Sequence, residues 1–262
     1  MNVWEARVVV RERKLTEIVD LSLRFCLVLG GNLYVKLSLW LLLPAYGLCW
    51  WVLKSGLPNA GIWGCVLAVV LSPLLQLPFT VAADRFMFSA DVALAEVIRS
   101  SARLLFRICV VRLWSLLVLF GGSLLVILIP LAVARGLYLG EVIVLEGAGP
   151  LAAYRRTGRL TSRRVVQSFV VWLALVATSV AFIAVAEVLA RSLGAEGLPI
   201  EGLSEVWGGL NAEAGIAGLF LSLPLVASMR FLSYIDNRTR REGWDIQVRF
   251  LELGRALGAT ST

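Results

Sequence analysis

Arg135 is the residue of this 262-residue chain whose type and position point most directly to chemistry. It stands in an apolar stretch from Ser123 to Glu146 that reads as a membrane-crossing helix, which would place the guanidinium near mid-membrane. A charge at that depth costs at least about 2.5 kcal/mol unless it is paired or hydrated. Glu141, six residues on, is off the helical face of Arg135, so a carboxylate from another helix, Glu187 or Asp84, would have to serve. Two readings follow. Arg135 is an intramembrane functional charge on a substrate or ion path, or the span is bounded differently and the long side chain reaches an interface. The second is preferred.

The remaining chemistry-bearing residues are arginines in clusters. Arg99, Arg103 and Arg107 recur every four residues, and Arg155, Arg159 and Arg163 repeat that spacing, so each set forms one stripe along a helix. Opposite the first stripe lie Leu94, Val97, Ile98, Leu104, Leu105 and Ile108. An amphipathic helix of this kind is suited to lie flat on a bilayer, its apolar arc among acyl chains and its guanidiniums on anionic headgroups. Residues 15–29 have the same character, with Leu15, Ile18, Leu21, Phe25 and Val28 opposite Glu17, Asp20 and Arg24. For 151–164, packing on a partner subunit competes with the bilayer. Arg238, Arg240, Arg241, Trp244 and Asp245 form a charged C-terminal group suited to docking a cytoplasmic partner, or to pairing Arg241 with Asp245 along the last helix. Glu146-Gly147-Ala148-Gly149-Pro150 has the form of a turn into a helix whose first residue is proline, with amides that could receive a lipid phosphate.

Catalysis is not expected. Histidine is absent, which removes histidine-dependent triads, imidazole metal sites and the usual general base, and no other nucleophile constellation stands out. Cys26, Cys49, Cys65 and Cys109 form no CxxC pair and sit in apolar stretches, so they read as packing residues, with no metal, cofactor or disulfide expected.

The elements that must position these residues are membrane spans. Hydrophobic residues make up 59% of the chain and charged ones 16%, with a mean hydropathy of +0.83, outside the range of soluble domains. The predicted spans run over Leu33 to Leu53, Ile62 to Ala83, a long region Val110 to Leu145 folded at Phe120-Gly121-Gly122-Ser123, Val165 to Ala190, and Ile216 to Ile235. Six crossings put nearly all arginines on one side, and Lys54, Arg191 and an acidic loop with Glu187, Glu196, Glu201, Glu205 and Glu213 on the other. The excess of Lys and Arg, 25 against 18 acidic residues, thus predicts cytoplasmic termini in a bacterial inner membrane, and it accounts for the basic charge without nucleic acid. The charged start, MNVWEARVVVRERK, predicts no cleavable signal.

Arg99-Ser-Ser-Ala-Arg103-Leu104-x-x-Arg107 returns as Arg155-Arg-Thr-Gly-Arg159-Leu160-x-x-Arg163, and Pro73, Pro130 and Pro224 each precede a leucine. This suggests internal repeats. The expectation is one all-α membrane domain of about six spans: an N-terminal cytoplasmic amphipathic segment 1–32, hairpin one 33–89, surface helix and hairpin two 90–146, surface helix and hairpin three 147–235, and a cytoplasmic tail 236–262. Whether 110–146 forms two short spans or one long helix with a re-entrant piece stays open.

The stretch from Glu141 through Glu146 and Pro150 to Arg155, Arg159 and Thr161 resembles the span end, Glu-Gly turn and Arg-rich helix of bacterial multispan proteins related to the membrane domain attached to some glycerophosphodiester phosphodiesterases. Leu15 to Arg24 and Arg230 to Asp245 are similar to that domain's opening and closing motifs. The resemblance implies a six-span helical domain of poorly defined function. Diesterase activity does not carry over, because no hydrolase barrel or carboxylate-rich metal site accompanies it.

The function expected is that of a non-catalytic inner-membrane subunit or scaffold of a multiprotein assembly, with anionic lipids and protein subunits as partners. The alternative is a transporter, permease or lipid-handling protein with a path bordered by Arg135 and the prolines.

Overall fold

The computed structural model describes residues 13–88, 92–123, 129–162, 164–194 and 212–242, and among them every element is helical. In chain order these are α1 (Leu15–Arg24), α2 (Gly31–Leu37), α3 (Leu43–Leu53), α4 (Ala60–Phe88), α5 (Leu94–Ser123), α6 (Ile129–Gly136), α7 (Leu139–Glu146), α8 (Pro150–Thr161), α9 (Val165–Gly194) and α10 (Ala212–Glu242). Two wide π-type turns, Phe25–Leu29 and Ser38–Leu42, carry the chain from α1 through α2 into α3.

Among the described residues, four stretches are long and apolar enough to cross a membrane: Gly31–Leu53, Ala60–Met87, Val165–Ser192 and Ala212–Arg241. They contain the first, second, fifth and sixth predicted spans. A fifth candidate is a bent pair, Ala132–Glu146 and Pro150–Thr161, whose two limbs meet at 118°. Gly147, in the left-handed conformation at φ 63°, closes α7, and Gly149 leads into Pro150 at the first turn of α8, so the expected helix start stands where the sequence puts it.

The middle of the chain departs from the expected pattern. Leu94–Ser123 is one unbroken helix, so the arginine stripe and the apolar stretch from Val110 are not a flat helix followed by a separate span. Neither Pro nor Gly occurs before Gly121, so nothing in the sequence interrupts the backbone ladder between them. Gly121 and Gly122 are helical rather than a turn, and the link between α5 and α6 falls in 124–128, outside the described residues. The predicted fourth span is broken at Leu137-Tyr138 into α6 and α7. Pro130 is the second residue of α6, whereas Pro73 and Pro224 lie inside the long helices α4 and α10.

Burial sets the layout. In α10, 72% of the apolar stretch is buried, against 50% in α4, 17% in Gly31–Leu53 and 11% in α9. So α10 is the axis, with α4, α9 and α1 packed on it and α9 turning most of its surface outward. Phe25, Phe79, Phe231 and Tyr34 fill the interface between the N-terminal segment, α4 and α10. Ile18, Ser22 and Phe25, at helical spacing, are the buried face of the N-terminal segment. That face rests on α10, while Val28, expected on it, is exposed.

Candidate buried charge site

The site forms where α10 crosses the α6–α7 break. Arg230 on α10 has a side chain only 8% exposed, yet it is charged, so its donors must be met inside the protein. Its Nε lies 2.5 Å from Oε1 of Glu141 on α7, and its Nη1 donates to Oε1 of Gln76 on α4 at 2.7 Å. Glu141 is fully buried. Arg112 on α5 enters from a fourth helix: a methyl built on Gly140 would have Nη2 of Arg230 at 3.5 Å and Nη2 of Arg112 at 3.9 Å. Two guanidiniums, one carboxylate and one amide, from α5, α10, α7 and α4, therefore meet around the first turn of α7.

The cluster lies between two polar ends. At one end, where α3 meets α4 and α10 begins, Lys54 Nζ pairs with Glu213 at 2.6 Å, and Glu187 lies 3.7 Å from Arg191 one turn on. Arg230 is 17 residues along α10 from Glu213, a rise of about 25 Å. At the other end Asp236 accepts from the Arg13 amide at 2.7 Å and from Arg240 Nε at 2.9 Å, while Arg240 Nη2 donates to the Arg13 carbonyl. Arg241 donates to the carbonyls of Arg159 and Leu160 and to Ser162, closing the C-terminus of α8. Between this end and the cluster the α7–α10 contact continues as polar rungs: Tyr138 and Ser233 hydroxyls 2.7 Å apart, and Tyr234 donating to Glu146 at 2.7 Å, a carboxylate also held by Arg156. A cavity of about 50 Å³ opens beside the first of these rungs, lined by Arg13, Arg164, Gln167, Tyr138, Ser233 and Asp236 among others.

The residues singled out in the sequence are placed differently from the cluster. Arg135 is exposed at the end of α6, its side chain alongside Gly158 of α8, so the structure does not place it in the interior. Neither expected carboxylate serves it: Glu187 faces Arg191 at the far end, and Asp84 lies beside Arg85 in α4. Arg99, Arg103, Arg107, Arg155 and Arg159 are exposed, and Arg107 reaches the Gly147 carbonyl at 3.4 Å. Arg163, Trp244 and Asp245 lie outside the described residues. Arg238, Arg240 and Arg241 are partly buried, and the last two make the internal contacts above. Burial pushes the Cys26 thiol up to about 11 although it bonds Ser228, which suits a packing residue rather than a nucleophile.

Sequence reasoning missed Arg230, Gln76 and the inward role of Arg112. By sequence Arg112 groups with Arg99, Arg103 and Arg107 in a basic run, and Arg230 enters only as the first residue of the closing motif. The available signal was an arginine five residues before the end of a predicted span, with Glu141 inside another; both are costly in hydrocarbon unless they meet.

Among the described residues the fold is all-helical, with four or five helices long and apolar enough to cross a membrane and the Arg230–Glu141 ion pair sealed among them. Comparison with protein-family models, curated proteins and solved structures gives no match for it.

Proposed function

We propose that the chain is a non-catalytic, polytopic subunit of a multiprotein assembly in the bacterial inner membrane. In this reading it crosses six times, in three hairpins, with both termini in the cytoplasm; α5 supplies the third crossing and α6–α7 a broken fourth. The observation that carries it is the Arg230–Glu141–Gln76 network with Arg112 beside it, which spends buried charge on fixing four helices against one another. Buried ion pairs of this kind favour one register over its alternatives more than they add stability.

A framework so fixed presents long apolar faces outward. Val166, Val180, Val185 and Val188 on α9 and Trp40 and Trp51 before and within α3 are exposed. In a bilayer such faces meet lipid or the spans of other subunits. The exposed stripes of α5 and α8 suit anionic headgroups of the cytoplasmic leaflet. The resemblance to the membrane domain found with some glycerophosphodiester phosphodiesterases is in keeping with an accessory role.

The test is extraction in mild detergent followed by size-exclusion and mass spectrometry with quantified stoichiometry. Co-elution with the same membrane or cytoplasmic subunits at fixed ratio is the expected result; isolation of a lone monomer from native membranes would count against it. The transport alternative no longer draws on Arg135, since the side chain is exposed; it rests on the broken α6–α7 helix, a feature that in transporters lines substrate sites. Replacing Arg135 with Leu is then expected to leave any flux unchanged.

A further inference from the structure

The cavity between α1, α9 and α10 is a feature that the framework role leaves unused. A single water takes roughly 10–15 Å³ of such space, so its volume of about 50 Å³ has room for about four groups of that size. The residues deepest in it are polar and buried: Tyr138, Ser168, Ser233, Asp236 and Asn237. At its rim Arg13, Leu15 and Arg164 are half-buried, and Gln167 and Val170 are exposed. The Tyr138 and Ser233 hydroxyls, 2.7 Å apart, use one of their two protons on each other, so the pair can still donate and accept. Asp236 takes the Arg13 amide at 2.7 Å and Arg240 Nε at 2.9 Å, which offsets its charge and leaves the lining net cationic through Arg13 and Arg164. Arg164 gives Nη1 to Gln167 at 2.9 Å, one bond of the five that a guanidinium can donate. The cavity also stands where helices of membrane-spanning length end. Arg164 immediately precedes α9, and Asp236 and Asn237 follow Ile235, the last residue of the sixth predicted span. Beyond the rim, Val166 and Val170 continue as an exposed apolar surface on α9.

We infer that this cavity seats the headgroup of one anionic glycerophospholipid, of the phosphatidylglycerol class. The phosphodiester stays at the rim, where Arg164 supplies charge-assisted donors in a geometry matched to phosphate oxygens. The terminal glycerol carries two hydroxyls and fits the volume; these enter among Tyr138, Ser233 and Asp236, groups that accept from a hydroxyl and, in the case of the hydroxyl pair, also donate to it. The acyl chains leave over Leu15 and along Val166 and Val170, as lipid does on an apolar face at the interface. An ethanolamine headgroup of similar size fits less well: its ammonium, drawn to Asp236, meets Arg13 and Arg240 as like charges. The inference rests on the membrane placement and the lipid contacts proposed above, and it does not rest on the subunit role.

The test begins with an alkaline wash of native membranes. A chain released by the wash would remove the membrane placement and the inference with it; a retained chain that then shows no lipid preference would remove the inference alone. Full-length protein, delipidated in detergent, is titrated with short-chain phosphatidylglycerol, with short-chain phosphatidylethanolamine and with water-soluble glycerol 3-phosphate, and bound molecules are counted by native mass spectrometry. The expected result is one tightly held phosphatidylglycerol, preferred over phosphatidylethanolamine and over glycerol 3-phosphate. Arg164→Gln is expected to weaken it about tenfold, the loss of one charge-assisted contact. Ser168→Leu, which places a bulkier side chain in the cavity, is expected to abolish it while Tm without lipid stays at or above that of the parent. If Ser168→Leu does not fold, Arg164→Gln decides. Arg24→Gln removes an equal charge from the exposed side of α1, outside the cavity, and is expected to leave the affinity unchanged. Equal binding of the two lipids, binding of glycerol 3-phosphate as tight as that of the lipid, an unchanged affinity in Arg164→Gln, or an equal loss in Arg24→Gln would each overturn the inference.

Discussion

At the scale of single residues, Arg230 and Glu141 show why a buried ion pair must be judged by what remains when one member is removed. Both are almost fully shielded and 2.5 Å apart. Removing either charge strands the other in a medium that cannot solvate it, a loss of roughly 3–5 kcal/mol, whereas exchanging both for apolar groups of similar size is close to neutral. Glu141→Leu and Arg230→Met are each expected to lower thermal stability in detergent sharply, and the double variant to recover most of the loss. A double variant no better than the worse single one would mean that the loss comes from Arg112 and Gln76, left facing an apolar site, and not from a stranded partner. The sequence had exposed this pair only halfway. Glu141 was recognisable as intramembrane, but it was tested against Arg135 on its own helix, and helical spacing says nothing about a partner 89 residues away.

At the scale of elements, the α9–α10 contact shows how close packing selects a residue type. A methyl on Gly218 would lie 2.6 Å from the Phe182 carbonyl oxygen and 2.7 Å from the Ile183 α-carbon, whereas one on Gly215 would find its nearest atoms at 3.8 and 3.9 Å. Both glycines are helical, and elsewhere in a helix Gly→Ala gains up to about 1 kcal/mol. The two substitutions should therefore diverge. Gly215→Ala is expected to be neutral or stabilising, and Gly218→Ala to destabilise by about 1–3 kcal/mol, because backbone must move to admit the methyl. Chemical denaturation of both variants in the same detergent compares them directly, and equal midpoints would show that the helices part easily. Small size alone does not mark such a contact: Ala177 and Ala181 on α9 are both exposed. A small residue permits contact, and the opposing surface decides whether it occurs.

For the whole molecule, the two ends of the described chain are fastened together. The Arg13 backbone, Asp236 and Arg240 form a closed set of contacts joining the segment before α1 to the last helix. Asp236→Ala removes the acceptor for both, and α1 is expected to loosen from α10 while the span region is unchanged. Hydrogen exchange resolved along the chain would register this as faster exchange confined to α1 and the end of α10. Uniform acceleration would indicate global destabilisation, and no change would show that apolar contacts of Ile18 and Phe25 suffice. The Arg240 and Arg241 contacts also bear on the docking proposed above: any partner reading this end would meet guanidiniums already committed to Asp236 and to the end of α8.

The chain's own order of residues determined that it is helical and apolar enough to cross a membrane, and where four of the helices long enough to do so lie, because hydrocarbon demands runs of about 20 apolar residues whatever the neighbours are. It also determined the Gly147–Pro150 elbow, since a left-handed glycine and a helix-opening proline act locally. Tertiary structure alone decided that α6 and α7 divide at Leu137-Tyr138, and that Arg112 and Arg230 turn inward while Arg135 turns out. These outcomes depend on which helices become neighbours: a charge is stable in the interior only where another element supplies its counterpart, and no periodicity within one helix encodes that meeting.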